Sequence, residues 1–328
     1  MKYFKKIFAV LLTLTMILSF ASCKDEPSQS GSEIENAPTV APVQVSDPDR
    51  GEDKIKIAAS ERDYAFRKLS IDRSYAYEIT AKDVDSAKAA DMLLKNQVSI
   101  ASLNVDDAAK VASQADVRIL AVTSEIRLSL ITKGEEIRKI ESLGGKTVYC
   151  GGKDTFVQAV TEKIFSDKGV GADLVFLSDS EVAAKIKNGE AGLFILQEPE
   201  SIYAISQNAD YSRAFEISGY WEEEFSPVSR CVVARADFVT ANPELVKEFM
   251  THIETCTNSL STEMGAMSNA TAFAEEGFFP ASELTLNAIN STKHAYYEKE
   301  ALKEIVSANF ALAGSEAASV SDAVYYMG

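Results

Sequence analysis

The chain has 328 residues, with 33 Lys and Arg against 49 Asp and Glu, for a formal charge of −16. A hydrophobic share of 46% suffices for a buried core and excludes a disordered chain, and the length suits two domains or one large one. The acidic balance argues against a nucleic-acid partner, whose phosphates call for a basic patch, but leaves room for a local site of either sign.

Residues 1–23 fall into three parts: a positive head of Lys2, Lys5 and Lys6, an apolar run from Ile7 to Phe20, and Ala21-Ser22-Cys23. This is the layout of a secretory signal. The run is short for a membrane-spanning helix, which needs about 20 apolar residues. Its end resembles the bacterial lipobox, with Phe20 where Leu is commoner. That resemblance implies a lipid-modified Cys23 as the first mature residue and a membrane-anchored, extracytoplasmic protein. An ordinary secretory signal before a cysteine is the alternative. Residues 24–51 are rich in Ser, Pro, Asp and Glu, with Pro27, Pro38, Pro42 and Pro48. They read as a flexible tether, since they cannot bury enough apolar surface to order themselves. Loss of the three early lysines would take the charge from −16 to −19.

From residue 54 strands and helices alternate. Lys54–Ala59 is a strand, Asp83–Lys95 a helix with Ala87, Ala90, Leu93 and Leu94 on one face, and Val98–Leu103 a strand. Asp106 and Asp107 open a helix that runs to Ala115, with acidic residues at its favourable end. Arg118–Val122 and Leu128–Thr132 are strands. After Gly134, the strand Thr147–Cys150 enters a Gly151–Thr155 turn, and a helix follows over Phe156–Lys168. Leu174–Leu177 is a strand, and Asp179 or Ser180 caps a helix to Lys187. Ala191–Leu196 is a buried strand stopped by Pro199, and Arg230–Arg235 a further strand. Asn242-Pro243 starts a helix as cap and first residue; Leu284–Ile289 and Glu298–Ala308 are later elements. The alternation predicts an α/β fold with largely parallel sheets.

Apart from Cys23, the cysteines are Cys150, Cys231 and Cys256, an odd number that makes no disulfide framework. Cys150 and Cys231 read as small buried hydrophobes, with a bridge between them as the alternative in an exported protein. His252 and His294 stand alone, without metal-ligand spacing, and neither neighbours a Gly-x-Ser-x-Gly turn. Neither a metal, a cofactor nor an enzymatic signature is read from the sequence.

Ligands of open α/β sheets sit beyond the carboxyl ends of strands. Those ends nominate Ser60, Arg62, Tyr64, Asn104, Thr123 and Ser124 in the first part of the chain. In the second they nominate Gly151, Gly152, Lys153, Asp154, Thr155, Gln197, Glu198 and Tyr203. The two glycines let backbone approach a ligand, and the next helix offers free N–H groups. The same turn is equally an ordinary strand–helix junction capped by Asp154 or Thr155. Glu198 either faces the ligand or is solvated beside a strand-ending proline. Tyr64 and Tyr203 offer faces for a flat ligand, or pack.

Three stretches carry a family resemblance: Ser142–Val148 (SLGGKTV), Asn188–Pro199 (NGEAGLFILQEP) and Ala236–Phe249 (ADFVTANPELVKEF). In this order, behind a lipobox, they resemble the nitrate/sulfonate/taurine/thiamine-precursor group of ABC-transporter substrate-binding lipoproteins, over about residues 54–328. The resemblance implies a periplasmic-binding-protein-like type II fold: residues 52–132 plus 236–328 as lobe one, 133–235 as lobe two, and a ligand cleft between them. The crossings would fall near Leu130–Gly134 and Val233–Asp237. It also implies a monomeric, non-enzymatic partner of ABC permease subunits that binds a small organic or anionic molecule. The sequence departs from relatives at the ligand loops. Ser60–Ala65 lacks the Gly and Pro usual after the first strand, and Lys153 and Asp154 interrupt a stretch that relatives keep small. A surface lipoprotein with the same fold and a degenerate site, acting as sensor or scaffold, is therefore the alternative.

Overall fold

A computed structural model of the chain describes residues 54–72, 77–277, 282–314 and 321–328. The chain divides into two units, Met1–Gly51 and Glu52–Gly328, and the elements below all belong to the second. The signal, the tether and Cys23 lie outside the described residues.

The first stretch runs β1 (Ile55–Ala58), α1 (Tyr64–Ile71), β2 (Tyr77–Thr80), α2 (Ser86–Leu94), β3 (Ile100–Leu103), α3 (Val105–Gln114) and β4 (Val117–Glu125). The middle runs β5 (Leu128–Thr132), β6 (Thr147–Cys150), α4 (Phe156–Asp167), β7 (Asp173–Phe176), α5 (Asp179–Lys187), β8 (Leu193–Gln197), α6 (Glu200–Ser206) and β9 (Ser212–Glu216). The last runs β10 (Val228–Arg235), α7 (Ala236–Ala241), α8 (Pro243–Leu260), α9 (Glu263–Glu275), α10 (Ser282–Ser291), β11 (Lys293–Tyr297) and α11 (Lys299–Leu312).

The strands form two sheets. Sheet one has the order β11-β4-β10-β3-β1-β2 and sheet two the order β7-β6-β8-β5-β9. Both are mixed rather than largely parallel. β1 pairs parallel with β2 and β3, but β10 runs antiparallel between β3 and β4. In sheet two β6 pairs parallel with β7 and β8, while β5 is antiparallel to β8 and β9. The antiparallel strands flank the two chain passages between sheets, where the chain returns without a crossover helix.

Sheet membership locates the two chain passages between the sheets. β5 belongs to sheet two, so the chain leaves sheet one between Glu125 and Leu128. β10 belongs to sheet one, so the return falls between Glu216 and Val228. Hydrophobic patterning gives the strands but not the partner that each one selects.

Central strands are apolar on both faces because helices cover both. β3 (IASL) is buried throughout, and so are Leu193 to Leu196 of β8. α4 buries Phe156, Val160, Thr161, Ile164 and Phe165, the stripe of a helix lying on a sheet. α8 buries Val246, Phe249, Met250, Ile253, Cys256, Thr257 and Leu260 along its length. Cys150, Cys231 and Cys256 are free and buried, the first in sheet two and the second in sheet one. His252 packs on Tyr77, whose hydroxyl lies 2.8 Å from its Nδ1. No helix among the described residues is long and apolar enough to cross a membrane.

Candidate functional site

Residues from the strand ends, loops and helix starts of both sheets line one cavity of about 100 Å³. Sheet one supplies the turn after β1. There the Asp63 N–H donates to the Ser60 carbonyl (3.0 Å), and the Asp63 side chain caps α1. This stretch, expected as a loop through Ala65, is helical from Tyr64 because Asp63 provides the missing acceptor at its N-terminus. Asp63 is buried and also accepts from Ser102 Oγ; burial pushes its carboxyl up, with the Arg230 charge opposing. Thr123 and Ser124 come from β4, Ser229 and Arg230 from β10, and His294 from β11.

The sheet-two stretch supplies three carboxylates, Asp179, Glu198 and Glu200. Glu198 follows β8 and is only 3% exposed. Its Oε1 accepts from Ser129 Oγ (2.5 Å) and Arg213 Nη1 (3.1 Å). The Glu198–Pro199 bond is cis. Asp179 opens α5; burial raises its pKa, with the Gly152 backbone and the Arg62 charge opposing. Gly151 is required beneath it, because a Cβ there would stand 2.2 Å from Asp179 Oδ1 and 2.8 Å from Leu196 Cδ2.

Six side-chain atoms among the described residues are shielded from water without a hydrogen-bond partner. Four belong to residues that line this cavity: Thr123 Oγ1, Asp179 Oδ1, Glu198 Oε2 and His294 Nε2. A buried polar atom left unpaired costs about 1–3 kcal/mol, so four around one cavity call for an explanation. His294 is kept neutral by burial, which lowers its pKa to about 4 against the opposing effect of the Ile289 backbone contact.

Several contacts join residues of the two sheets at or near the cavity. The Tyr64 and Tyr203 hydroxyls meet at 2.9 Å. Arg62 ion-pairs with Glu200 and lies 4.2 Å over the Tyr203 ring. Gln197 Nε2 donates to Ser229 Oγ (2.6 Å). Phe156 N–H, at the start of α4, donates to Asp106 Oδ2 (2.7 Å) from the start of α3. A second space of about 130 Å³ adjoins the first, sharing Asp179, Gln197, Ser229 and Arg230.

Of the residues nominated by sequence, Arg62, Tyr64, Thr123, Ser124, Gln197 and Glu198 line the first cavity. Asn104, Gly152 and Thr155 line the second. Asn104 and Thr155 also cap α3 and α4. Tyr203 stands behind Tyr64, and Ser60, Gly151, Lys153 and Asp154 line neither space; Lys153 and Asp154 are exposed. Sequence reasoning missed Asp63, Asp179, Arg230 and His294. The Arg230 guanidinium makes no hydrogen bond or ion pair among the described residues, though its charge reaches Asp63. The signal was present: an arginine within the mostly buried strand VSRCVVAR needs a destination. Register shifts on either side of Arg230 mark the irregularity that re-aims it.

Solved structures share this architecture. An ABC transporter protein from Parabacteroides distasonis matches with a TM-score of 0.67 at 16% identity, over 83% of this chain and 98% of its own. The alkanesulfonate-binding protein from Xanthomonas axonopodis pv. citri, bound to MOPS, matches with a TM-score of 0.61 at 11% identity, over 84% and 98%. The periplasmic aliphatic sulphonate binding protein from Escherichia coli gives 0.61 at 10% identity, over 80% and 85%. The fold is therefore the type II fold of periplasmic binding proteins. Residues 76–261, more than half of the chain, match the family described as NMT1/THI5 like, and the chain belongs to that family. No curated protein matches it.

Proposed function

We propose that this protein is the solute-binding component of an ABC importer, holding a small ligand in the cavity between its two sheets. The observation that carries the reading is the convergence of Thr123, Asp179, Glu198 and His294, each with an unpartnered buried atom, on one space. Family membership and the shared fold support it. A degenerate scaffold would have no reason to keep unpaired polar atoms there. Arg62, Tyr64, Thr123 and Glu198 contact the ligand in this reading, joined by Asp179, Arg230 and His294. The lobes are residues 52–126 plus 228–328 and residues 127–227, and they hinge about the two passages between sheets. Its role is binding without turnover, as a monomer delivering its ligand to permease subunits. Cys23 carries the lipid that holds it at the outer face of the membrane, with residues 24–51 as tether.

A ligand that binds only the folded state raises the melting temperature by mass action. A thermal-shift screen of small organic anions, cations and zwitterions should therefore yield at least one compound with a saturable rise. No rise with any compound, in a sample that unfolds cooperatively, refutes the reading. Cys23→Ala should move the protein from the membrane fraction to the soluble one; retention refutes the anchor.

A further inference from the structure

The walls of the cavity have a sign. Its lining includes four carboxylates, Asp63, Asp179, Glu198 and Glu200, against two guanidinium groups, Arg62 and Arg230. Arg62 is spent on Glu200 and the Tyr203 ring. Arg230 offsets Asp63, the carboxylate on which its charge acts. Glu198 is paired with Arg213 from outside the lining, so among the described residues Asp179 is the lining carboxylate left without a cation; Glu198 Oε2 and Asp179 Oδ1 are both unpartnered.

What is unpaired matters as much as the charge. Glu198 Oε1 is paired with the Arg213 guanidinium, and its Oε2 has no partner. His294 is kept neutral by burial, and its Nε2 has no partner. Asp179 Oδ1 is a second carboxyl oxygen without a partner. A ligand that completes these atoms must bring hydrogens.

The place where an anion would dock is already occupied. The start of α4 follows Gly151 and Gly152 and offers backbone N–H groups at the positive end of a helix. Its first N–H is taken by the carboxylate of Asp106, which reaches across from α3, and its second by Thr155 Oγ1. The protein supplies its own anion there.

We infer that the ligand is a compact organic cation rich in N–H donors, an ammonium or amidinium group seated between Glu198 and Asp179. This rests on the solute-binding reading above and names the ligand class of that same site. Charge-assisted N–H contacts to both free carboxylate oxygens would satisfy donors and acceptors together. The sulfonate carried by the ligands named for the Xanthomonas and Escherichia neighbours offers only acceptors, and would face unpaired acceptors here.

The test uses the full mature chain and matched probes at equal ionic strength. Ethylammonium, acetamidinium and methylguanidinium are set against ethanesulfonate, acetate and nitrate in thermal-shift and calorimetric titrations. The expected result is saturable binding of at least one cation and no binding of the anions. Glu198→Gln and Asp179→Asn should each weaken that cation at least tenfold, with far-ultraviolet circular dichroism reporting that each variant is folded. Binding of anions and not cations overturns the inference while leaving the solute-binding reading standing. A cation whose affinity neither variant changes overturns the assigned seat. Failure of both probe sets overturns the inference, and failure of the wider screen as well removes the solute-binding reading.

Discussion

Replacing His294 with Gln should flatten the acid limb of the stability curve. The imidazole packs edge-on against Tyr64, with ring centroids 6.1 Å apart. Burial lowers its pKa from 6.5 to about 4. The unfolded chain therefore takes up a proton near pH 6.5 while the folded chain does not, so stability is fully present above that pH and falls as pH drops toward 4. The whole loss is about 3 kcal/mol, of which about 1.3 kcal/mol falls between pH 7.5 and 5.5. The isoelectric point near 4.7 makes pH 5.5 a practical lower limit. Asp63, Asp106 and Asp179 work the other way: burial raises their folded pKa values, so each contributes more stability as pH falls. The wild-type curve thus mixes opposing effects, and the difference from His294→Gln isolates one. Urea unfolding of both proteins at pH 7.5, 6.5 and 5.5 should show wild type losing about 1.3 kcal/mol relative to the variant across that range. Parallel curves would refute the account, because His294 would then titrate alike folded and unfolded.

Gly151→Ala places a methyl group 2.2 Å from Asp179 Oδ1 and 2.8 Å from Leu196 Cδ2. It should cost about 1–3 kcal/mol in urea unfolding. Arg213→Gln leaves the buried Glu198 carboxylate without its cation and should cost about 2 kcal/mol, part of which Glu198→Gln restores in the double variant. Strict additivity in that cycle would show the pair to be uncoupled. Asp106→Ala removes the acceptor of the Phe156 N–H and should cost about 1–2 kcal/mol by urea unfolding, with Asp106→Asn recovering part of it.

The scaffold was more legible than the site. Thr147–Cys150 matches its predicted strand at both ends, bounded by Gly145 and Gly151, where the pattern stops abruptly. The helix expected to be capped by Asp179 or Ser180 is capped by Ser178, whose side chain and Glu181 form a capping box. The shift matters, because it frees Asp179 to face the cavity. In α2 the expected face is rotated: Ala87 is exposed, and Ser86, Ala89, Ala90 and Leu93 are buried. Alanine and serine contrast too weakly to set the phase of a helix. Glu198 was found because a strand-ending proline marks its position. Arg230 and His294 were not, because strand patterning does not say which residues meet across two sheets that are distant in sequence.

The strand order carries a consequence for how the chain assembles. β10 sits in the middle of sheet one, where Cys231 pairs with Leu103 on one side and Val122 on the other. Sheet two, in contrast, draws all its strands from one continuous stretch, β5 to β9. Closing a long loop is slow, and the wait leaves strand edges open to wrong partners. A chain emerging from its N-terminus completes the inserted half first. It carries facing edges of β3 and β4 without their shared neighbour until β10 arrives to join them.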